Sequence, residues 1–308
     1  MSQGKMIGNV NLLDLRKATA ESVANIRGIG NVNVVLYTPE TAGLLTRLSI
    51  GNMNASVELT SDVKADLVLG QTIYKKENFD RVEAPSFAIM VGQAIVDPDV
   101  TVEMVLNRFA GIAVVGQLVV PDNLVGAFQS KIRFMPGQIK SYPVLHQTRI
   151  GDVELSERWL KSLEDGAEMS ILGDLAAPKV IPNDLLERKI KRLFVLGGIN
   201  CHEENADAIQ NRLAQGSGAL NVIPSGFEVV DKPLTLDAML LEALPVRKLL
   251  CKEMVHIGAD VTAGMLDERL DALHSEELIL CPSSLRGVLL KKCDPLKDQL
   301  VFFEGLLC

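Results

Sequence analysis

Apolar and polar positions recur along this chain with a short period. An apolar residue, a glycine, a polar residue and a second apolar residue follow one another in clear copies that begin at Ile7, Ile29, Ile50, Val91, Val115 and Leu172. Looser copies begin at Leu69, Pro136, Ile150 and Leu196. Most intervals between successive glycines of the pattern are 21 to 24 residues. Such self-similarity indicates a repeat protein, so we predict about ten repeats of 21–25 residues.

Each repeat has a part typical of a strand and a part typical of a helix. Residues 112–120 are almost all β-branched or small apolar residues around one glycine, which predicts a strand. Val102, Val105, Leu106 and Phe109 are spaced as on one face of a helix. The repeat is therefore predicted to be a strand–helix unit.

The length of the repeat selects the architecture. A strand of about five residues spans roughly 17 Å and a helix of about ten residues returns roughly 15 Å, so one coil closes in about 22 residues. We therefore predict an α/β fold, a curved right-handed solenoid with one parallel sheet, and a single repeat domain over residues 1–308. Irregular crossings are expected near residues 75–86 and 142–149, because the interval from Gly137 to Gly151 is only 14 residues. After Gly197 the glycine is lost, and the register of the later repeats stays open.

In repeat length the chain resembles the leucine-rich-repeat superfamily, whose repeats of about 20–29 residues pair a strand with a helix or turn. The resemblance implies a curved solenoid with its helices on the outside. The LxxLxLxxN motif of that superfamily is absent, and Gly-Asn or Gly-Gln stands at the turn. A triangular right-handed β-helix, as in bactofilin-like polymers, is the alternative. It shares the Gly-polar-apolar pattern but leaves no room for a helix in every coil.

The polar residue after each glycine forms a second regularity. Equivalent positions in stacked coils lie about 4.8 Å apart, so these side chains are expected to form a column. Amides can bond to their neighbours or to backbone groups freed at a bend. We interpret the column as a structural ladder that holds the bends; the alternative is a polar strip that contacts a ligand. Its members are Asn9, Asn31, Asn52, Gln71, Gln93, Gln117, Gln138, Asp152 and Asp174.

Composition and charge narrow the possible partners and compartment. The formal net charge of −8 argues against a nucleic-acid surface, which needs concentrated positive charge. The most apolar stretch, residues 110–120, is shorter than the roughly 20 residues of a membrane helix, so no membrane partner is expected. Five cysteines without a CxxC spacing favour a reducing compartment. We expect a cytoplasmic protein.

No motif for catalysis, cofactor binding or metal binding stands out. The four histidines are scattered and lack the paired spacing of a zinc site. The densest group of potential ligands, residues 201–204 (Cys-His-Glu-Glu), is interpreted as a strand end followed by an acidic helix start. Accordingly we predict no catalytic, cofactor or metal residue.

The leading functional hypothesis is a non-enzymatic protein-interaction or scaffold protein that acts through the sheet or the end coils. The alternative is a carbohydrate-active or other hydrolytic or lyase enzyme with an extended substrate. The partner is expected to be another protein or a second copy of the chain. Apolar residues in the end coils suggest a homo-oligomer, most simply a dimer. The candidate self-association residues are Ile7, Phe302 and Phe303.

Overall fold

The computed structural model describes residues 5–80, 85–244 and 247–304. The chain divides into two compact units, Met1–Thr148 and Arg149–Cys308. Both are mixed α/β, as predicted, but in place of one sheet the described residues contain several parallel sheets. The single repeat domain over residues 1–308 stays a prediction.

The first unit consists of strands joined by short helices. Its described strands are β1 (Lys5–Asp14), β2 (Ile26–Tyr37), β3 (Ile50–Glu58), β4 (Ala65–Tyr74), β5 (Ser86–Val96), β6 (Phe109–Pro121), β7 (Ile132–Phe134) and β8 (Gln138–Tyr142). Its described helices are α1 (Ala20–Val23), α2 (Glu77–Asp80), α3 (Val102–Arg108) and α4 (Val125–Lys131), with 3-10 turns at Ala42–Leu44 and Asp122–Leu124.

Parallel pairing in this unit joins equivalent strands of successive repeats, except between β3 and β4. One sheet has the order β1-β2-β3, and the other has the order β4-β5-β6, with β7 and β8 both paired to β6. Gly70, Gly92 and Gly116 lie side by side in register. The period of the glycines is therefore the period of the backbone ladder.

The glycine column exists because the backbones of neighbouring strands approach closely there. Gly92 and Gly116 adopt φ of 121° and 132°, which side chains rarely tolerate. A Cβ atom at Gly116 would overlap the carbonyl oxygen of Gly92. Both constraints strongly favour glycine at these two positions.

The second unit has shorter strands, and β9 begins two residues before the boundary. Its described strands are β9 (Gln147–Ile150), β10 (Val153–Glu154), β11 (Ala167–Leu172), β12 (Leu175–Ala177), β13 (Ile190–Val195), β14 (Ile199–His202), β15 (Leu220–Ile223), β16 (Glu228–Val230), β17 (Leu234–Leu236), β18 (Lys248–Cys251), β19 (Val255–Ile257), β20 (Ala272–Ser275), β21 (Leu278–Pro282) and β22 (Gln299–Phe303). Its described helices are α5 (Glu157–Ser162), α6 (Asn183–Lys189), α7 (Glu203–Gln210), α8 (Ala238–Ala243), α9 (Ala263–Arg269) and α10 (Arg286–Leu289), with a 3-10 turn at Ser283–Leu285.

Each regular repeat of the second unit contains two strands and not one. In the repeat of β11, β12 and α6, a bend at Gly173 and Asp174 separates the strands. The described strands form four sheets, with orders β13-β11-β9, β10-β12-β14-β15, β16-β18-β20 and β17-β19-β21-β22. The prediction took both strands of a repeat as one strand around the glycine. No described helix exceeds eight residues, whereas about ten were expected.

The regular order is interrupted between β15 and β16. These strands belong to different sheets, and only residues 224–227 separate them, so the helix that follows the second strand elsewhere is missing here. β15 and β16 are consequently edge strands of their sheets in the described chain. The interruption falls in the region where the glycine period disappears from the sequence.

The two expected crossings fall in short connections. Helix α2 lies within residues 75–86, and residues 81–84 lie outside the described part of the chain. A turn between Tyr142 and Gln147 lies within residues 142–149, and the crossings themselves stay a prediction. Within the described residues, every helix is too short or too polar to cross a membrane.

Candidate binding groove

The predicted column of polar side chains lies along the sheets of the first unit. Asn31 Nδ2 donates to Asn9 Oδ1 at 2.7 Å. Gln71 Nε2 donates to Gln93 Oε1, and Gln93 Nε2 donates to Gln117 Oε1, both at 2.7 Å. Asn52 and Gln138 extend the same registers. The side-chain bonds in these columns join amide to amide along the exposed or half-buried faces of the strands.

In the second unit the equivalent carboxylates bind backbone groups. Asp152 Oδ1 accepts a hydrogen bond from the Asp174 N–H at 2.8 Å, and Asp174 Oδ1 accepts one from the Gly198 N–H at 2.7 Å. These contacts lie at the bend between the two strands of a repeat. Here the polar side chains connect the bends of successive repeats.

A second amide column runs beside the first and escaped the sequence analysis. Asn33 Nδ2 donates to Asn11 Oδ1 at 2.9 Å, and Asn54 Nδ2 donates to Asn33 Oδ1 at 2.7 Å. The signal was present, because the first three copies of the pattern each continue as Gly-Asn-apolar-Asn. In a strand, residues two apart point to the same face, so both asparagines of each copy share one surface.

Loss of a single amide from the ladder should have a small effect. We expect Gln93→Leu and Gln117→Leu each to lower the free energy of unfolding by less than about 1 kcal/mol, because a net hydrogen bond between half-exposed amides contributes about that much. Urea denaturation followed by circular dichroism measures this change. A loss well above 2 kcal/mol would instead mean that the amides satisfy buried backbone groups.

The candidate self-association residues are half-buried within their own unit. Ile7 packs against the core of β1 and β2. Phe302 lies beside Cys281 in register, with the Arg286 guanidinium 5.1 Å from its ring centre. Phe303 stacks on His256 at 5.9 Å. These rings therefore have partners within the chain, and self-association through them stays a prediction.

A groove of about 790 Å³ lies in the second unit, where the repeat order is interrupted. Strands β12, β14 and β15 line it on one side, and residues 224–227 with β16 and β18 line it on the other. Ala176, Asn200 and Asn221 stand in register along the first side. Asn221 Nδ2 donates to Asn200 Oδ1 at 3.2 Å, which leaves further amide groups of this pair facing the opening.

Apolar side chains are exposed on one side of the groove and half-buried on the other. Val180 and Val222 are 53% and 45% exposed. Val229 and Leu250 are half-buried neighbours on the opposite side. Water contact with four aliphatic side chains in one concavity is unfavourable, which makes the groove a candidate contact surface.

Charged groups border these apolar residues. Lys252 Nζ lies 2.8 Å from Asp231 Oδ1. Glu276 continues this row at the ends of the parallel strands, and Glu228 begins β16. Neither Glu228 nor Glu276 has an ion-pair partner among the described residues. Lys179, on the other side, is likewise unpaired within that part of the chain.

The hydroxyl and imidazole groups in the groove are not arranged for nucleophilic catalysis. Ser225 Oγ donates to Glu204 Oε1 at 2.6 Å, and this bond lowers the pKa of the Glu204 carboxyl, which makes it a weak base. His202 Nε2 lies 2.9 Å from the carbonyl oxygen of Pro178 and is committed there. A Ser-His pair would need the hydroxyl on the imidazole.

The Cys-His-Glu-Glu segment forms the end of β14 and the first turn of α7. Cys201 is buried, and Glu203 and Glu204 lie in the first turn, where the helix dipole favours negative charge. Within the described residues, no three His, Cys, Asp or Glu side chains cluster to hold a metal ion.

Buried thiols should be unreactive in the folded protein. Burial raises the thiol pKa to about 11 for Cys201, Cys251 and Cys281, and to about 12 for Cys293. We expect a Cys308→Ser variant to give no rapid reaction with Ellman's reagent at pH 8 until urea unfolds it. A fast stoichiometric reaction of the native variant would contradict the burial of these thiols.

The raised thiol pKa values also make the stability depend on pH. Because the unfolded thiols ionise near pH 9, the protein should lose stability as the pH rises from 9 through 11.

Comparison with known proteins finds no matching family model, no similar curated protein and no similar solved structure.

Proposed function

We propose that this chain is a non-enzymatic protein-interaction protein, and that the groove of its second unit binds an extended segment of another protein. The observation that carries the proposal is the lining of the groove, in which exposed aliphatic side chains stand beside an amide pair and unpaired carboxylates. Aliphatic contacts supply affinity for side chains, and amides can bond to peptide groups. This combination suits a polypeptide.

The proposal includes an architecture and a compartment. Within each unit, the parallel registers join residues one repeat apart, which supports stacked coils of a solenoid. We assign these coils a right-handed sense because connections between parallel strands are almost always right-handed. In that arrangement the groove lies at an interruption of the coil, where two sheets end in edge strands. The odd number of cysteines without paired spacing supports a cytoplasmic location.

A carbohydrate-active enzyme is a weaker candidate for the same groove. Sugar sites commonly use a free aromatic face, whereas Phe227 in the lining stacks on His274 at 5.4 Å and has Lys248 Nζ 5.8 Å from its ring centre. Of the carboxylates in the lining, Asp231 is paired with Lys252 and Glu204 accepts from Ser225. Two of the candidate acids are thus engaged in structural contacts.

Selection from a random 12-residue peptide library displayed on phage tests the proposal. Val222→Arg places a long charged side chain in the groove at an exposed position, so it should block binding and leave the fold intact. Met239→Arg, on α8 and 80% exposed, is the matched control because it lies outside the groove. We expect peptides enriched on the parent protein to bind Met239→Arg equally and to lose at least tenfold in affinity for Val222→Arg, by fluorescence polarisation.

Two results would count against the proposal. No enrichment over an unrelated protein would remove the support for a peptide site, and peptides that bind Val222→Arg as well as the parent would place their contact elsewhere. Glycan-array binding that Val222→Arg abolishes would favour the carbohydrate-active alternative.

A further inference from the structure

Strand β1 of the first unit has an open edge. It pairs with β2 on one side, and no described strand pairs with its other side. Residues 6–13 contain neither a charged residue nor a proline, which are the residues that usually keep an exposed edge from pairing. Met6, Asn9 and Asn11 are all exposed on this strand. The edge is therefore free to accept a further strand.

Within the described chain, nothing requires glycine at position 8. The φ of Gly8 is not positive, and nothing lies within 4 Å of the position that a Cβ atom would take. In β2 and β3, by contrast, a Cβ at Gly30 would lie 2.9 Å from the Gly8 carbonyl oxygen, and a Cβ at Gly51 would lie 2.7 Å from the Gly30 carbonyl oxygen. The Cβ at this position thus points toward the preceding strand, and at Gly8 it points to the open edge. A strand paired there would supply the close contact that requires glycine.

The sequence of β1 is chemically palindromic about Val10. Asn9 and Asn11 lie one position on either side of it, and both are exposed. Ile7 and Leu13 lie three positions on either side, and both contact the same apolar core as Val10. An antiparallel pair of β1 strands centred on Val10 places Asn9 of one copy opposite Asn11 of the other. The same register places Ile7 opposite Leu13, so each residue meets one of its own kind.

From these features we infer that β1 binds β1 of a second copy of this chain, so that the two β1-β2-β3 sheets form one continuous sheet about a two-fold axis at Val10. Asn9 Oδ1 and Asn11 Oδ1 accept hydrogen bonds from the next strand, while their Nδ2 groups have no partner among the described residues. Across the axis, each Nδ2 donates to the facing amide oxygen, which has a second lone pair. The inference is independent of the proposed function, because the groove lies in the second unit.

Gly8→Val tests the contact between the two copies. It should leave the fold of the single chain unchanged, because the Cβ position is open and valine favours strands. Between two copies, the added side chain would overlap the partner's backbone and should weaken the dimer roughly tenfold or more. Sedimentation velocity over a micromolar concentration series measures this, and circular dichroism checks the fold. Leu69→Lys, 49% exposed on the edge strand β4, is the matched control and should stay dimeric.

Two double variants test the antiparallel register. In Asn9→Asp, Asn11→Lys, opposite charges face each other across the axis, so the dimer should persist. In Asn9→Asp, Asn11→Asp, carboxylates face carboxylates, and the dimer should weaken roughly tenfold or more, by an amount that falls as salt is raised. Both variants lose the same amide bonds within the chain, so the difference between them reports the charges alone.

Four results would overturn the inference. The first three are a parent chain that is monomeric throughout the concentration series, a dimer that survives Gly8→Val, and a dimer that Leu69→Lys breaks. The fourth is equal dimerisation of the two charge variants, which would exclude the register centred on Val10. None of these results bears on peptide binding by the groove.

Discussion

Replacement of Gly116 by alanine is expected to destabilise the first unit by roughly 3 kcal/mol or more. The backbone φ of 132° is strained for any residue with a Cβ, and that Cβ would overlap the carbonyl oxygen of Gly92 in the neighbouring strand. Neither atom can withdraw, because both belong to the paired ladder of β5 and β6. Urea denaturation measures the loss, and hydrogen exchange of the β5 and β6 amides assigns it to this unit.

Two other glycines of the same unit provide graded controls. Gly70 has a φ of 74° but open space around its Cβ position, so Gly70→Ala should lose only about 1–2 kcal/mol from backbone strain. Gly126 lies exposed in α4 with nothing nearby, and Gly126→Ala should gain about 0.5–1 kcal/mol from helix propensity. Equal stability of Gly116→Ala and Gly126→Ala would refute the close approach of the stacked strands.

The second large effect is expected from Asn205→Leu, which should lower the free energy of unfolding of the second unit by about 2–4 kcal/mol. Asn205 is 1% exposed, and its side chain bonds to both backbone groups of Ile181, accepting from the N–H at 2.9 Å and donating to the carbonyl at 2.7 Å. It also donates to Asn183 Oδ1 at 2.7 Å. Leucine would leave these buried groups without partners, and each carries the full cost of desolvation.

Trp159 reports this unfolding, because it packs against the core of the second unit. Gln210→Leu is the matched control: the residue is exposed on the same helix, and its loss should change the stability by less than about 0.5 kcal/mol. If Asn205→Leu unfolds at the same urea concentration as Gln210→Leu, the bridge between the two helix starts is not stabilising.

The period of the repeat could be recognised from the sequence because a physical contact enforces it. At Gly92 and Gly116 a Cβ atom would meet the backbone of the preceding repeat, so these positions require glycine. The amide columns follow for a similar reason, since equivalent positions such as Asn9 and Asn31 meet in register and bond. These contacts join residues one repeat apart, so they appear as a periodic pattern in the sequence.

The number of strands in a repeat was harder to predict. The residues on both sides of Gly173 and Asp174 read as one strand in the sequence, but the backbone bends there, so that β11 and β12 join different sheets. A run of apolar residues does not reveal such a bend, because both strands bury their side chains in the same core.

By itself, the sequence determined the repeat, its length, the α/β class and the polar column, because each depends on contacts between equivalent positions. Only the tertiary structure decided where the groove lies. Its sides come from residues as far apart as Ala176 and Glu276, and they meet because the short link at residues 224–227 ends one sheet and begins another. The spacing of the repeats does not predict this groove, because the groove forms where the regular repeat is interrupted.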